Sequence, residues 1–140
     1  MEKYLVSACL CGVNCKYNGK NNLNEKCLKL AKEGKAILIC PEQLGGLTTP
    51  RKPSEINKDK VINEIGEDVT LNFEKGAKEV LKIAKIYNVN KAILKEGSPS
   101  CGVNKIYDGT FSGNKINGMG ICASLLKENN IKVISSEDLI

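Results

Sequence analysis

The chain has 140 residues, 41% of them hydrophobic and 26% charged, with a net charge of +5. That balance excludes a disordered or fibrous chain, and the length is enough to bury one core without disulfide staples. No apolar run approaches the ~18 residues of a membrane span, and the basic residues are scattered through the sequence rather than massed in a block, so a dedicated nucleic-acid face is not expected. The opening "MEKYLVSACLCG" contains no secretory apolar region, and the expected location is cytoplasmic.

Lys3–Ala8 reads as a buried strand. "NLNEKCLKLAKEG" follows as a helix, with Leu23, Cys27, Leu30 and Ala31 on one face and Gly34 as its stop. Lys35–Cys40 is a second strand that ends at Pro41. The next stretch, "EQLGGLTTPRKPSE", reads as a long loop, and loops of that length in a compact protein tend to be functional. "DKVINEIGEDVT" reads as a short extended excursion.

The clearest helix is "LNFEKGAKEVLKIAKIYN", with Phe73, Ala77, Val80, Leu81, Ala84 and Tyr87 on one face and Thr70 as its cap. Lys91–Glu96 is a third strand, "NKIYDGTFSGNKING" a hairpin or set of turns around Asp108-Gly109, and "GMGICASLLKEN" a last helix entered through glycines. "IKVISS" is a fourth strand and "EDLI" a terminal turn. Short continuous apolar strands alternating with helices predict an α/β protein: one domain over residues 1–140, a Rossmann-like three-layer sandwich with a mainly parallel sheet.

The chemistry is narrowed first by an absence. The chain contains no histidine, which removes Ser-His-Asp triads, Cys-His dyads and histidine-bearing zinc sites together. It contains seven cysteines. In a reducing compartment these read as ligands, catalytic thiols or core residues, and an odd number forbids complete pairing within one chain.

Cys27 and Cys122 lie on apolar helix faces and read as small core hydrophobes. Cys9, Cys40 and Cys101 instead follow or end three different strands. In a parallel sheet, ligands bind beyond the carboxyl ends of the strands, so three thiols are expected at one rim. Cys11 and Cys15 complete a C-x-C-x3-C run with Cys9 and read as a fourth ligand, a redox thiol or a spectator. A closed zinc site takes four ligands, and no paired C-x2-C pattern is present. A cubane iron–sulfur cluster held by three cysteines would keep one iron open, a soft Lewis acid suited to sulfur-containing substrates.

Glu42, two residues beyond Cys40, is the candidate acid/base in a protein without histidine. Gly45 and Gly46 permit a tight turn or a close backbone approach. In "GSPSCG", Ser98 and Ser100 bracket Pro99, either as local turn hydroxyls or as groups directed at a substrate. "NGMG" ahead of the last helix is a weak candidate for an anion site at a helix N-terminus.

Taken together and in this order, "VSACLCGVNCKYNG", "CPEQLGGLTTPR", "SPSCG" and "NGMGICASLL" resemble the thiouracil desulfidase (TudS) family over nearly the whole chain. Cys9 takes the place of the cysteine in that family's S-A-C-L-x-G motif, and Cys11 stands where an aliphatic residue is usual. The resemblance implies a 4Fe-4S cluster on Cys9, Cys40 and Cys101 with one iron left open, Glu42 as catalytic acid/base and Ser98 as a pocket hydroxyl. It further implies non-redox desulfuration of a thiolated pyrimidine (2-thiouracil, 4-thiouracil or 4-thiouridine type) to the uracil-type product and hydrogen sulfide. Longer relatives that act on transfer RNA carry an accessory domain absent here. The expected partner is therefore a small thiolated nucleobase or nucleoside, ahead of transfer RNA and with no membrane. The residues by themselves leave open a second reading, a cysteine-ligated metal-binding module or a sulfur or cluster carrier using Cys11 or Cys15.

Overall fold

The computed structural model describes residues 2–139. Its centre is a sheet of β1 (Tyr4–Ser7), β2 (Ala36–Ile39), β5 (Lys91–Leu94) and β8 (Lys132–Ser135) in the order β2-β1-β5-β8, with every pairing parallel. Side chains alternate across this sheet. Leu5, Ala92 and Leu94 belong to one core cluster, with α3 (Thr70–Tyr87) and α4 (Ile121–Glu128), while Val6 and Ile93 belong to another that includes Cys27 of α1 (Glu25–Lys32). Both faces are covered, as buried parallel strands require, and the expected three-layer α/β sandwich is the observed one.

Helix boundaries follow local capping chemistry. The first helix begins at Glu25, not Asn22, because Asn24 Oδ1 accepts hydrogen bonds from Lys26 N at 3.0 Å and Cys27 N at 3.2 Å. Leu23 therefore lies ahead of the helix and is 48% exposed, contrary to its expected place on the buried face. In α3, Phe73, Ala77, Val80 and Ala84 are buried as expected, but Tyr87 in the last turn is exposed, with Lys3 Nζ 6.0 Å from its ring centre. Thr70 does not cap α3. Its own N–H donates to Asp68 Oδ1 at 2.9 Å, and its hydroxyl oxygen accepts from Val61 N at 2.9 Å.

The stretch read as one long loop contains two elements. A single helical turn, α2 (Pro41–Leu44), starts on a proline whose fixed φ suits a first helical position. Beyond the Thr49–Pro50 bond, which is cis, the chain enters β3 (Ser54–Asn57), which pairs antiparallel with β4 (Lys60–Asn63). The expected hairpin near Asp108 is β6 (Lys105–Tyr107) with β7 (Lys115–Asn117). The terminal turn is a 3-10 turn over Ser136–Asp138; Ile140, at the end of that predicted turn, lies outside the described residues. Among the described residues, no helix is long and apolar enough to cross a membrane.

Candidate metal centre and active site

A cavity of about 440 Å³ opens at the carboxyl end of the sheet. It lies at the divergence of β1 and β5, whose onward connections run to opposite sides of the sheet, the usual ligand position in open parallel sheets. Cys9, Cys40 and Cys101 all line it, together with Glu42, Ser98 and Ser100. Cys9 sits on a 3-10 turn (Ala8–Cys11) directly after β1, Cys40 immediately follows β2, and Cys101 lies in the loop after β5.

The loop bearing Cys101 is built around buried polar groups. The carboxylate of Glu96, which is 4% exposed, accepts at Oε1 from Val103 N at 2.8 Å and from Asn104 N and Lys105 N, both at 2.9 Å. Burial works against the charge of Glu96, but these amides and the Ser135 hydroxyl outweigh it and hold the carboxyl down at about 2. Ser98 Oγ accepts from Ser100 N at 3.1 Å and Cys101 N at 3.0 Å, fixing the turn around Pro99. At the start of α4, the N–H groups of Ile121, Cys122 and Ala123 donate to Pro99 O and Ser100 O at 2.8–3.1 Å. The expected anion site before α4 is therefore filled by this loop: its donors are already used.

Glu42 is placed by helix-to-helix contact. A side chain on Gly76, mid-way along α3, would overlap the Pro41 carbonyl, and one on Gly45 would overlap Asn72 O. These two glycines let α2 lie directly on α3. Glu42 Oε1 then meets Arg51 Nε at 3.0 Å, in an ion pair whose side chains are 8% (Arg51) and 15% (Glu42) exposed. Glu42 Oε2 accepts from Ser100 Oγ at 2.9 Å, and Ser100 Oγ lies 2.9 Å from Ser98 Oγ. A continuous chain thus runs Arg51–Glu42–Ser100–Ser98. Both serines line the cavity; Ser100 is the one that touches the carboxylate.

The two remaining thiols of the C-x-C-x3-C run part company. Cys11 donates to Cys27 O at 3.4 Å and packs with the core beneath α1, away from the cavity lining. Cys15 lines the cavity, and its carbonyl accepts from Cys40 Sγ at 3.9 Å. The adjoining Cys40 and Cys9 thiols, with burial added, hold the Cys15 thiol far above the ordinary range. The proximity of Cys15 lowers the thiols of Cys9 and Cys40 in spite of their burial. Burial pushes Cys101 up to about 12, partly offset by the Ser7 and Ser100 hydroxyls. Cys27 and Cys122 are 0% exposed and fill the core as expected.

This donor set fits an iron–sulfur cluster better than a lone ion. It is entirely sulfur, and no histidine exists to complete a mixed site. Among the described residues, no three His, Cys, Asp or Glu side chains surround a point closely enough to hold a single metal ion. The thiols are instead distributed around a larger cavity.

Three features of the site went unread in the sequence: Arg51 as the partner of Glu42, Glu96 as the anchor of the Cys101 loop, and Cys15 rather than Cys11 at the cavity. One signal was present for the placement of Glu42. Gly76 interrupts a strong helical run at a cost of about 1 kcal/mol, which implies a close neighbour.

Fold and site together define an α/β protein whose thiol-lined cavity lies at the carboxyl rim of a parallel sheet. The chain belongs to the 2-thiouracil desulfurase family, whose model matches residues 4–138. It is 48% identical to the "Uncharacterized protein YbbK" of Bacillus subtilis (strain 168), across 96% of each chain. Its fold is similar to that of a solved "[4Fe-4S]-dependent thiouracil desulfidase TudS", with a TM-score of 0.95 and 41% identity over 99% of this chain and 93% of that one.

Proposed function

We propose that this protein is a [4Fe-4S]-dependent desulfidase that converts a thiolated pyrimidine and water to the uracil-type carbonyl product and hydrogen sulfide, without net redox change. The observation that carries this reading is the convergence of Cys9, Cys40, Cys101 and Glu42 on one cavity, in a chain of the 2-thiouracil desulfurase family. Cys9, Cys40 and Cys101 would hold the cluster, and the chain would act as one domain in a reducing, cytoplasmic setting suited to its seven free thiols. When bound, such a cluster with one iron free of protein ligands supplies a soft Lewis acid that polarises a thiocarbonyl.

The chain's own groups handle the protons. Glu42, held by Arg51 at one oxygen, takes a proton from the attacking water and returns it to the departing sulfur. Ser100 donates to the other oxygen of Glu42 and fixes its orientation. Ser98, next along the chain of hydroxyls, orients the substrate or passes the proton onward. The carbon–sulfur bond breaks, a carbon–oxygen bond forms, and both protons of water leave with the sulfide. The substrate is a small thiolated nucleobase or nucleoside.

The test is anaerobic loading with iron and sulfide, followed by assays of visible absorption, 2- and 4-thiouracil consumption and sulfide release. The expected result is a cluster band perturbed by thiouracil and stoichiometric sulfide. A loaded protein that leaves every thiopyrimidine intact overturns the enzymatic reading in favour of a metal-binding or carrier module. Full turnover in Glu42→Ala removes that residue from proton transfer.

A further inference from the structure

We infer that Phe111 is the platform on which the planar ring of the substrate stacks, and that Glu55 is the residue positioning it; this rests on the thiopyrimidine reading above. The chain is poor in aromatics, with four tyrosines, two phenylalanines and no tryptophan. Tyr17, Tyr107 and Phe111 nevertheless line the same cavity. Two of these rings are already engaged: Lys16 Nζ lies 5.8 Å from the Tyr17 ring centre, and Lys115 Nζ lies 5.4 Å from that of Tyr107. Among the described residues, no lysine sits in this way over Phe111, which is 39% exposed. The other phenylalanine, Phe73, is 1% exposed and serves the core.

The backbone presents this ring at a cost. Phe111 has φ +57°, a region that bulky L-residues rarely occupy unless their surroundings enforce it. Here they do. Glu55 Oε1, from β3, accepts from Gly109 N at 3.0 Å and from Phe111 N at 3.1 Å, joining the loop after β6 to the other hairpin. A Cβ on Gly109 would lie 2.7 Å from Ile56 O, so the loop rests directly on β3. Asp108 Oδ1 further ties Thr110 by N at 2.9 Å and by Oγ1 at 2.6 Å. A phenylalanine offers a ligand no hydrogen bond, only a face, and a flat, polarisable pyrimidine is the kind of ligand a face binds.

Calorimetry on the anaerobically loaded protein tests this without turnover, with uracil as the planar probe and 5,6-dihydrouracil as a puckered, non-aromatic one of similar polar edge. The wild type is expected to prefer uracil. Phe111→Leu and Phe111→Ala should weaken uracil binding roughly tenfold while changing dihydrouracil little, so that the preference collapses; Phe111→Tyr should keep it. Glu55→Ala should reproduce the loss, and Glu55→Gln, which retains a carbonyl acceptor, should restore it. Equal cluster absorbance across the variants shows that the centre itself is intact. If Phe111→Leu keeps both affinity and preference while the wild type desulfurates thiouracil, stacking is overturned and the desulfidase reading stands. If the loaded wild type neither binds nor converts any pyrimidine, both are overturned.

Discussion

Arg51 Nε lies 3.0 Å from Glu42 Oε1, and the same guanidinium donates to Cys15 O at 3.0 Å through its second terminal nitrogen. Its remaining nitrogen reaches Thr49 Oγ1 at 2.9 Å and Thr48 O at 3.3 Å. One planar fork thus ties the acid, the loop after α2 and the segment carrying Cys15. Breaking a buried ion pair from one side costs about 3–5 kcal/mol. Arg51→Met is expected to lose about 3 kcal/mol in urea unfolding at pH 7 and to lose turnover. Arg51→Lys should recover part of the stability but little of the rate, because an ammonium cannot reproduce the fork. A wild-type unfolding midpoint in Arg51→Met would refute the structural role of the pair.

The cysteines should separate cleanly by substitution and by chemistry. Cys9→Ala, Cys40→Ala and Cys101→Ala are each expected to lose the visible cluster band and bound iron, whereas Cys27→Ala and Cys11→Ala keep both. In cluster-free protein, iodoacetamide followed by peptide mass mapping should mark Cys9 and Cys40 first, since only these two are partly exposed and the other five are buried. Loading the cluster should protect them. A Cys101→Ala variant with full iron and turnover would remove it from the ligand set.

Glu96 predicts an acid-sensitive component of stability. Its carboxyl sits at about 2 in the folded protein against an ordinary 4.5. A depressed folded value means that the contribution is complete above 4.5 and is lost as the pH falls towards 2. Glu96→Gln, which cannot carry the charge, should cost about 2 kcal/mol at pH 7. The gap between variant and wild type should narrow in urea unfolding between pH 5 and 3. A gap that stays constant over this range would contradict the assignment.

The seating of α2 on α3 predicts an effect at a distance. Gly76→Ala inserts a methyl group into the Pro41 carbonyl, one residue from both Cys40 and Glu42. In an open helix the change would stabilise by up to about 1 kcal/mol. Here it is expected to lower the thermal midpoint and the iron content together. A stabilised variant with full iron would show that the two helices have room to separate.

Much of the framework was legible because it is encoded locally. Apolar runs over Lys3–Ala8, Lys35–Cys40 and Lys91–Glu96 marked the strands, which the structure ends at Ser7, Ile39 and Leu94, and the cysteines ending or following those runs line one rim. The helical period found α3, with Phe73 and Val80 on its buried face. The misses are non-local or turn on a single group. The Ser100–Glu42 bond joins residues 58 apart, and Glu55 reaches Phe111 across 56; no window of sequence holds either pair. The anion site before α4 failed because carbonyls from the Pro99 turn fold back onto donors that the local pattern left free. Cys11 and Cys15 were indistinguishable by spacing, and only the turn between them sends one inward to Cys27 and the other to the rim.

The carboxylate of Glu96 has a consequence for how the protein is assembled. Where a metal supplies the energy that folds its own binding loop, chelation unfolds the protein. The Cys101 loop instead closes on a charge that belongs to the chain, so its shape is held by the polypeptide's own groups. On the desulfidase reading proposed above, loading a cluster would then be a docking event into a receptacle the chain itself holds. A centre destroyed by air would leave a folded protein ready to be recharged, and the lifetime of the polypeptide would be uncoupled from that of its most fragile part.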